Sequence, residues 1–438
     1  MDNPLLPLMR EARRLYKEKS YAEALSRYER LWQSDKSLFY SDDLYSFCVC
    51  LRKGRRSSDA LPIAETLIET EPNNSRFNNI YGWILYDCLF HEKQPFFGEE
   101  FLDQARKILS KTKQEPHSPY ELTVLKTLEW LKKHPDLSER HTDSWIQKVD
   151  PGGLDVTSFD FHVGKGKTIR RPSNAESWYL EKTEWLLSKN RFSECLLCCD
   201  DALTLIDQKI PDGEPAPFLW RRGVSRFRLG NPSDALSDLL DAQRKVKIWA
   251  IPFEIAKVSL ALEDRERAFK CALKAALFPL GIELKTECYG LLANLYRTKS
   301  QFEMERKCLL LYQLVMESLN REGDSEFSER VKAIERPHGL SYSKLYKELE
   351  SLWRLSLKKV LTPVQGQLLK MLPQKKGFLK GKDGRDYFYG LAAFQGVTRQ
   401  IHPGTPVEAY YDPDESSERS GAIEAYWVAP LRTDRVVT

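Results

Sequence analysis

The stretch that decides the fold is Gly366-Gln-Leu-Leu-Lys-Met-Leu-Pro-Gln-Lys-Lys-Gly-Phe-Leu379, followed by Asp383-Gly-Arg-Asp-Tyr-Phe-Tyr389. Apolar residues alternate there over short spans broken by Gly, Pro and Asp-Gly turn signals, the pattern of small antiparallel strands. The same texture continues to Val428, whereas the chain before it carries helical period. The expected fold class is therefore mostly α, a helical body followed by one small five-stranded antiparallel β-barrel.

A chain of 438 residues is long enough for two or three domains with their own cores. The chain is 42% hydrophobic, 30% charged and 11% aromatic, within the range of soluble globular proteins. Its net charge of +4 comes from 67 basic and 63 acidic residues, so overall charge points to no nucleic-acid partner and local clusters must decide. No apolar run approaches the roughly 18–20 residues needed to span a bilayer. The start, Met1 to Arg10, lacks a basic segment followed by an apolar core, so a secretion signal is not expected. Nine cysteines sit in helical, apolar contexts and read as buried reduced thiols, which makes the cytoplasm the expected compartment.

From Leu8 to Asp35 apolar residues recur at helical spacing, with a break at Lys19-Ser20 and a small residue, Ala24, where two helices would cross. The layout returns around Ala60, 36 residues on, and again around Cys195, Ala235 and Ala268, at separations of 40 and 33 residues. These positions, strongest at Gly223, Ala235, Leu239 and Ala242, resemble a tetratricopeptide-repeat protein, in which helix pairs of about 34 residues stack into a superhelix. The resemblance covers roughly residues 8–90 and 176–318. It departs from the family pattern in the first copy, where Ala12 replaces the expected Gly, and across an irregular insertion at 76–150.

The expected organisation is N-terminal helical repeats over 1–150, a linker or hairpin loop over 151–175 and a second repeat block over 176–320. A polar loop and connecting helix follow over 321–360, and the barrel occupies 361–438. Within the linker, Gly164-Lys-Gly-Lys-Thr168 falls short of a phosphate-binding loop, because Phe161 stands where that motif needs Gly and Ile169-Arg-Arg-Pro172 does not open a helix. Cys195-x-x-Cys198-Cys199 lacks a second ligand pair and reads as core packing. Seven scattered histidines match no metalloenzyme spacing, and no nucleophile elbow or dinucleotide fingerprint appears. A non-enzymatic chain without cofactor, metal, small-molecule substrate or membrane partner is expected. The inward groove of such repeats ordinarily takes a peptide. Here Trp220, Arg221, Arg222 and Arg226, with Arg228, would line it as a cationic wall for an acidic segment or RNA.

Residues 366–428 resemble a cold-shock domain, a five-stranded member of the oligonucleotide-binding (OB) barrels. Gly366 to Leu372 is similar to its first strand, Lys376-Gly-Phe-Leu379 to the end of its first ribonucleoprotein motif, and Asp386-Tyr-Phe-Tyr389 to its second. His402 to Tyr411 and Gly421 to Val428 match the last two strands. The resemblance implies a face of exposed aromatics on which unpaired bases stack, flanked by lysines along the phosphates. Its expected contacts are Lys370, Met371, Lys376, Phe378, Lys380 and Phe388, with Tyr387 and Tyr389 turned inward. Residues 354–385 hold nine basic side chains against one acidic, which suits that partner. Three family positions depart: Met371 and Lys376 stand where aromatics are usual, and Gly390 where His is usual.

The expected function is a cytoplasmic adaptor. It would bind a protein partner through the repeats and single-stranded nucleic acid, RNA favoured over DNA, through the barrel. The alternatives are a pure protein-interaction scaffold and a regulatory subunit of a nucleic-acid-processing complex.

Overall fold

The computed structural model describes residues 5–92, 96–163, 167–322, 325–332, 334, 336, 338–372, 376–396, 401–415 and 423–431. The chain divides into two compact units. One comprises Met1–Lys189 with Asp201–Glu214, the other Asn190–Asp200 with Pro215–Thr438. No helix among the described residues is long and apolar enough to cross a membrane.

The first unit opens with two helical hairpins, Leu6–Lys17 with Tyr21–Ser34 and Ser41–Lys53 with Ser57–Thr70. Three hairpins in the second unit repeat the design: Ala216–Arg228 with Pro232–Lys245, Ala250–Ala261 with Arg265–Leu277, and Thr286–Thr298 with Phe302–Ser318. All five turn in the same way. One residue per turn takes a left-handed backbone: Lys19 (φ 61°), Arg55 (57°), Gly230 (87°), Glu263 (61°) and Ser300 (55°). The residue after it donates its N–H five residues back, as in Ser20 to Leu15, Arg56 to Leu51, Asn231 to Arg226, Asp264 to Ser259 and Gln301 to Tyr296, at 2.9–3.0 Å. This closure satisfies the orphan carbonyls at each first helix's end and fixes where the second begins. Small residues then permit close crossing. Ala24, Ala60, Ala235 and Ala268 are fully buried, and a Cβ on Gly223 would lie 2.8 Å from Leu239 Cγ.

The irregular stretch of the first unit holds further helices, Ser75–Phe90, Gly98–Lys111, Pro119–Leu131 and Pro135–Ile146. Beyond them β1 (Phe159–Val163) and β2 (Lys167–Arg171) pair as an antiparallel hairpin. The strand at Lys167–Arg171 leaves no helix for a phosphate loop to open, and Lys165 lies outside the described residues.

In the second unit the Tyr342–Lys358 helix lays one stripe, Leu345, Leu349, Trp353 and Leu357, into the core. It packs against the Arg265–Leu277 and Phe302–Ser318 helices. The chain then forms β3 (Thr362–Leu372), β4 (Lys376–Gly381), β5 (Asp386–Gly390), β6 (Pro406–Tyr411) and β7 (Ile423–Pro430). They close into a barrel of order β3-β4-β5-β7-β6. Four ladders are antiparallel, and the β5–β7 ladder is parallel, a departure from the all-antiparallel expectation. The first strand starts earlier than the alternation suggested. Its beginning pairs with β6 and its end with β4, with Gly366 in both ladders. A Cβ there would sit 2.3 Å from Lys380 O, so only glycine lets the strand serve two neighbours. Val364, Leu368, Leu379, Tyr387, Tyr389, Val407, Ala409 and Val428 fill the interior.

Candidate nucleic-acid interface

Strand alternation sets the barrel's outer face. On β4 Lys376, Phe378 and Lys380 point away from the core, while Gly377, Leu379 and Gly381 are buried. On β5 Phe388 is half-buried, and Tyr387 and Tyr389 are fully buried. Phe378 and Phe388 are direct cross-strand partners, so their rings share one face. Lys370 opposes Phe378 because a bulge between Leu368 and Lys370 skips one residue of β3. Strict alternation from buried Leu368 would have turned Lys370 inward; the bulge re-aims it. Its ammonium lies 5.7 Å from the Phe378 ring centroid. On the far side Phe388 aligns with Glu424 of β7. A row of Lys370, Phe378, Phe388 and Glu424 thus crosses four strands.

The other expected contacts divide. Lys376 is exposed on the same face, opposite Gly390. Lys380 is engaged by Asp386 at 2.8 Å, an exposed pair of small energetic weight. The Met371 backbone pairs with Gly377, and its side chain lies outside the described residues.

The helical part of the same unit reaches this face through Lys247 and meets β6 and β7 through Lys358. Lys247, two residues beyond the Pro232–Lys245 helix, pairs with Glu424 and places its ammonium 4.6 Å from the Phe388 centroid. Lys358 lies 4.7 Å from the Tyr410 ring and 5.1 Å from that of Trp427.

A buried ionic latch holds the barrel in place. Lys270 donates to Asp412 at 2.8 Å and to Asp414 at 2.7 Å; Lys274 donates to Asp412 and, at 2.7 Å, to Glu415. Gln243 and the Tyr426 hydroxyl also donate to Glu415, at 3.1 and 2.8 Å. The Asp412 and Lys274 side chains are 1% and 3% exposed. Burial opposes both charges, but each meets more than one opposite charge. The Lys274 ammonium is held above its ordinary range by Glu415 and Asp412, and the Asp412 carboxyl below its own by Lys274 and Lys270. Burial and Glu415 together push the Tyr426 phenol well above its usual value. None of these latch residues stood out in the sequence. The one signal was complementarity, two lysines one helical turn apart against the acidic run Asp412 to Glu415.

The repeat arginines are arranged differently from the expected open cationic wall. Arg222 forks onto Asp238 at 2.9 and 2.6 Å and reaches Asp200 at 2.8 Å, and Arg226 adds a contact to Asp238 at 3.0 Å. Arg221 is 7% exposed, with its guanidinium 6.0 Å from the Trp220 ring. The charges of Arg222 and Arg226 are thus matched by carboxylates of their own unit. All nine cysteines are buried, and among the described residues no group of His, Cys, Asp and Glu side chains is placed to hold a metal.

Neither a protein-family pattern nor a curated protein matches the sequence. Solved structures align loosely. Human IFIT1, a dimer with m7Gppp-AAAA, covers 80% of this chain and 76% of its own at 12% identity and a TM-score of 0.36. A tetratricopeptide repeat protein from Parabacteroides merdae covers 66% and 98% at 11% identity and 0.28. Pseudomonas aeruginosa PilF covers 67% and 97% at 10% identity and 0.30. Likenesses this loose carry no inference about ligands.

Proposed function

We propose that this chain is a non-enzymatic adaptor whose barrel binds single-stranded nucleic acid, RNA favoured, with low sequence specificity, while its helical repeats engage a protein partner. The observation that carries this reading is the Lys370, Phe378, Phe388 row, with Lys376 beside it. Aromatic faces stack any unpaired base, and neighbouring lysines follow the backbone phosphates. The closed order β3-β4-β5-β7-β6 supports an OB-type barrel, in which the second and third strands form the ligand face. Here those strands are β4 and β5. Two stacked bases at roughly 1–3 kcal/mol each, with a few phosphate contacts, give useful affinity without base-edge readout. A reducing, cytoplasmic setting fits nine buried cysteines.

The test is a titration of the full chain against a labelled single-stranded RNA at two salt concentrations. Affinity should fall steeply with salt, and Lys376→Ala should lower the logarithmic slope by about 0.7. Phe378→Ala and Phe388→Ala should each weaken binding by roughly 1–3 kcal/mol. Undetectable or salt-insensitive binding sinks the nucleic-acid reading and leaves the protein-interaction scaffold.

A further inference from the structure

Beside Phe388, the row ends at a groove of about 370 Å³ between the barrel and the helices of the second unit. We infer that this groove is a slot for one unpaired nucleobase of the strand lying on the barrel face, an inference that rests on the reading above. Phe388 and Tyr426 on the barrel side and Phe278 on the helical side supply aromatic surface. Val246, Ile248 and Ala392 add aliphatic surface. A mostly apolar cleft of this size suits a planar ring better than a phosphate.

The rim supplies the charge that a ring alone would not need. Lys376, Lys247 and Arg354 line the groove, Lys247 paired with Glu424 and Arg354 with Glu350 at 2.7 Å, so Lys376 carries most of the charge offered to a phosphate. Its two acids are already engaged, Glu415 by Lys274 and Glu424 by Lys247. A polyanion can therefore approach without meeting an uncompensated carboxylate. Phe388 belongs both to the cross-strand row and to the groove, so a strand stacked along Phe378 and Phe388 has its next base at the slot. The latch keeps both walls in register, because Lys274, Glu415 and Tyr426 line the groove as well. An acidic or aromatic peptide would also find cations there, but it lacks the repeating ring-and-phosphate spacing that the row and slot share.

Filling the slot from either wall tests this. Ala392→Trp acts from the exposed barrel side and Val246→Trp from the helical side, each with circular dichroism to verify folding. Binding of the full chain is measured to a labelled single-stranded RNA and to versions carrying one abasic residue at successive positions. The expected result is about a 5- to 150-fold loss of affinity in both variants, the equivalent of one stacked base. Wild-type protein should also discriminate against an abasic residue at the slot position as well as at those stacked on Phe378 and Phe388, and the filled variants should lose discrimination at the slot position alone. Wild-type affinity in both filled variants, with Phe378→Ala still weakened, overturns the slot and leaves the barrel-face reading standing. No RNA binding by the wild-type chain overturns both.

Discussion

Replacing Lys274 by Met should open the barrel from its helical seat. Methionine keeps the length and apolar stem but removes the ammonium that serves Asp412 and Glu415 together. Asp412 would retain Lys270, and Glu415 would retain Gln243 and the Tyr426 hydroxyl. Lys270 would then serve Asp412 and Asp414 together, and Glu415 would lose its lysine, in a site where the Asp412 side chain is 1% exposed. Breaking a buried pair by removing one partner costs about 3–5 kcal/mol, because the remaining charge stays desolvated. That raises the local opening constant by about a hundredfold to a few thousandfold. Native-state amide exchange of peptides from β6 and β7 reads this opening directly. The double variant Lys274→Met, Asp412→Leu should recover at least about 1 kcal/mol, since it strands one carboxylate fewer. Acceleration of β6 and β7 exchange by less than about fivefold in Lys274→Met, roughly 1 kcal/mol, would refute the latch as the element holding the barrel.

Acid should release the same latch. The folded Asp412 carboxyl titrates below its unfolded value of about 3.9, so its stabilisation is present above that pH and is lost as pH falls through the depressed value. Protection of β6 and β7 should fall in that range, and less so in Lys274→Met. Lys285 gives a change in the opposite range. It is fully buried, donating to the Ala276 and Phe278 carbonyls and the Tyr346 hydroxyl, and burial pushes its ammonium down to about 8. Between about 8 and 10.4 the unfolded chain binds the extra proton, so this residue's contribution improves as pH rises. Buried thiols such as Cys271 and Cys288, pushed up to about 12 by burial, pull the other way in any variant. The readout is therefore a difference: wild-type urea midpoints should gain on those of Lys285→Met from about pH 8 upward, and parallel curves would contradict it. Gly366→Ala drives a Cβ against Lys380 O and should destabilise the barrel by roughly 1–3 kcal/mol; an unchanged exchange rate in β3 would show that the strand can move aside.

What the residues made legible follows the reach of each physical signal. Period-2 alternation over Asp386 to Gly390 was enough to send Tyr387 and Tyr389 inward and Phe388 outward. Helical period with small residues at Ala24, Ala60 and Ala235 exposed the hairpin repeat. The hairpin turns were harder to see, because Lys19, Arg55, Glu263 and Ser300 adopt the left-handed conformation in place of the glycine that would announce it. The outward aim of Lys370 depends on a bulge that leaves no compositional mark. Charge was visible at Arg222 and Arg226, but its neutralisation rests on Asp238, on the paired helix. The latch joins residues 138 to 144 positions apart, beyond any local pattern.

In the proposed function the β4–β5 face is the contact surface for a single strand. Photo-cross-linking of the full chain to a single-stranded RNA carrying photoreactive bases, mapped by mass spectrometry, tests it most directly. Adducts are expected on peptides containing Phe378 and Phe388, lost in the corresponding alanine variants. Adducts confined to the helical repeats, with β4 and β5 unmodified, would contradict it.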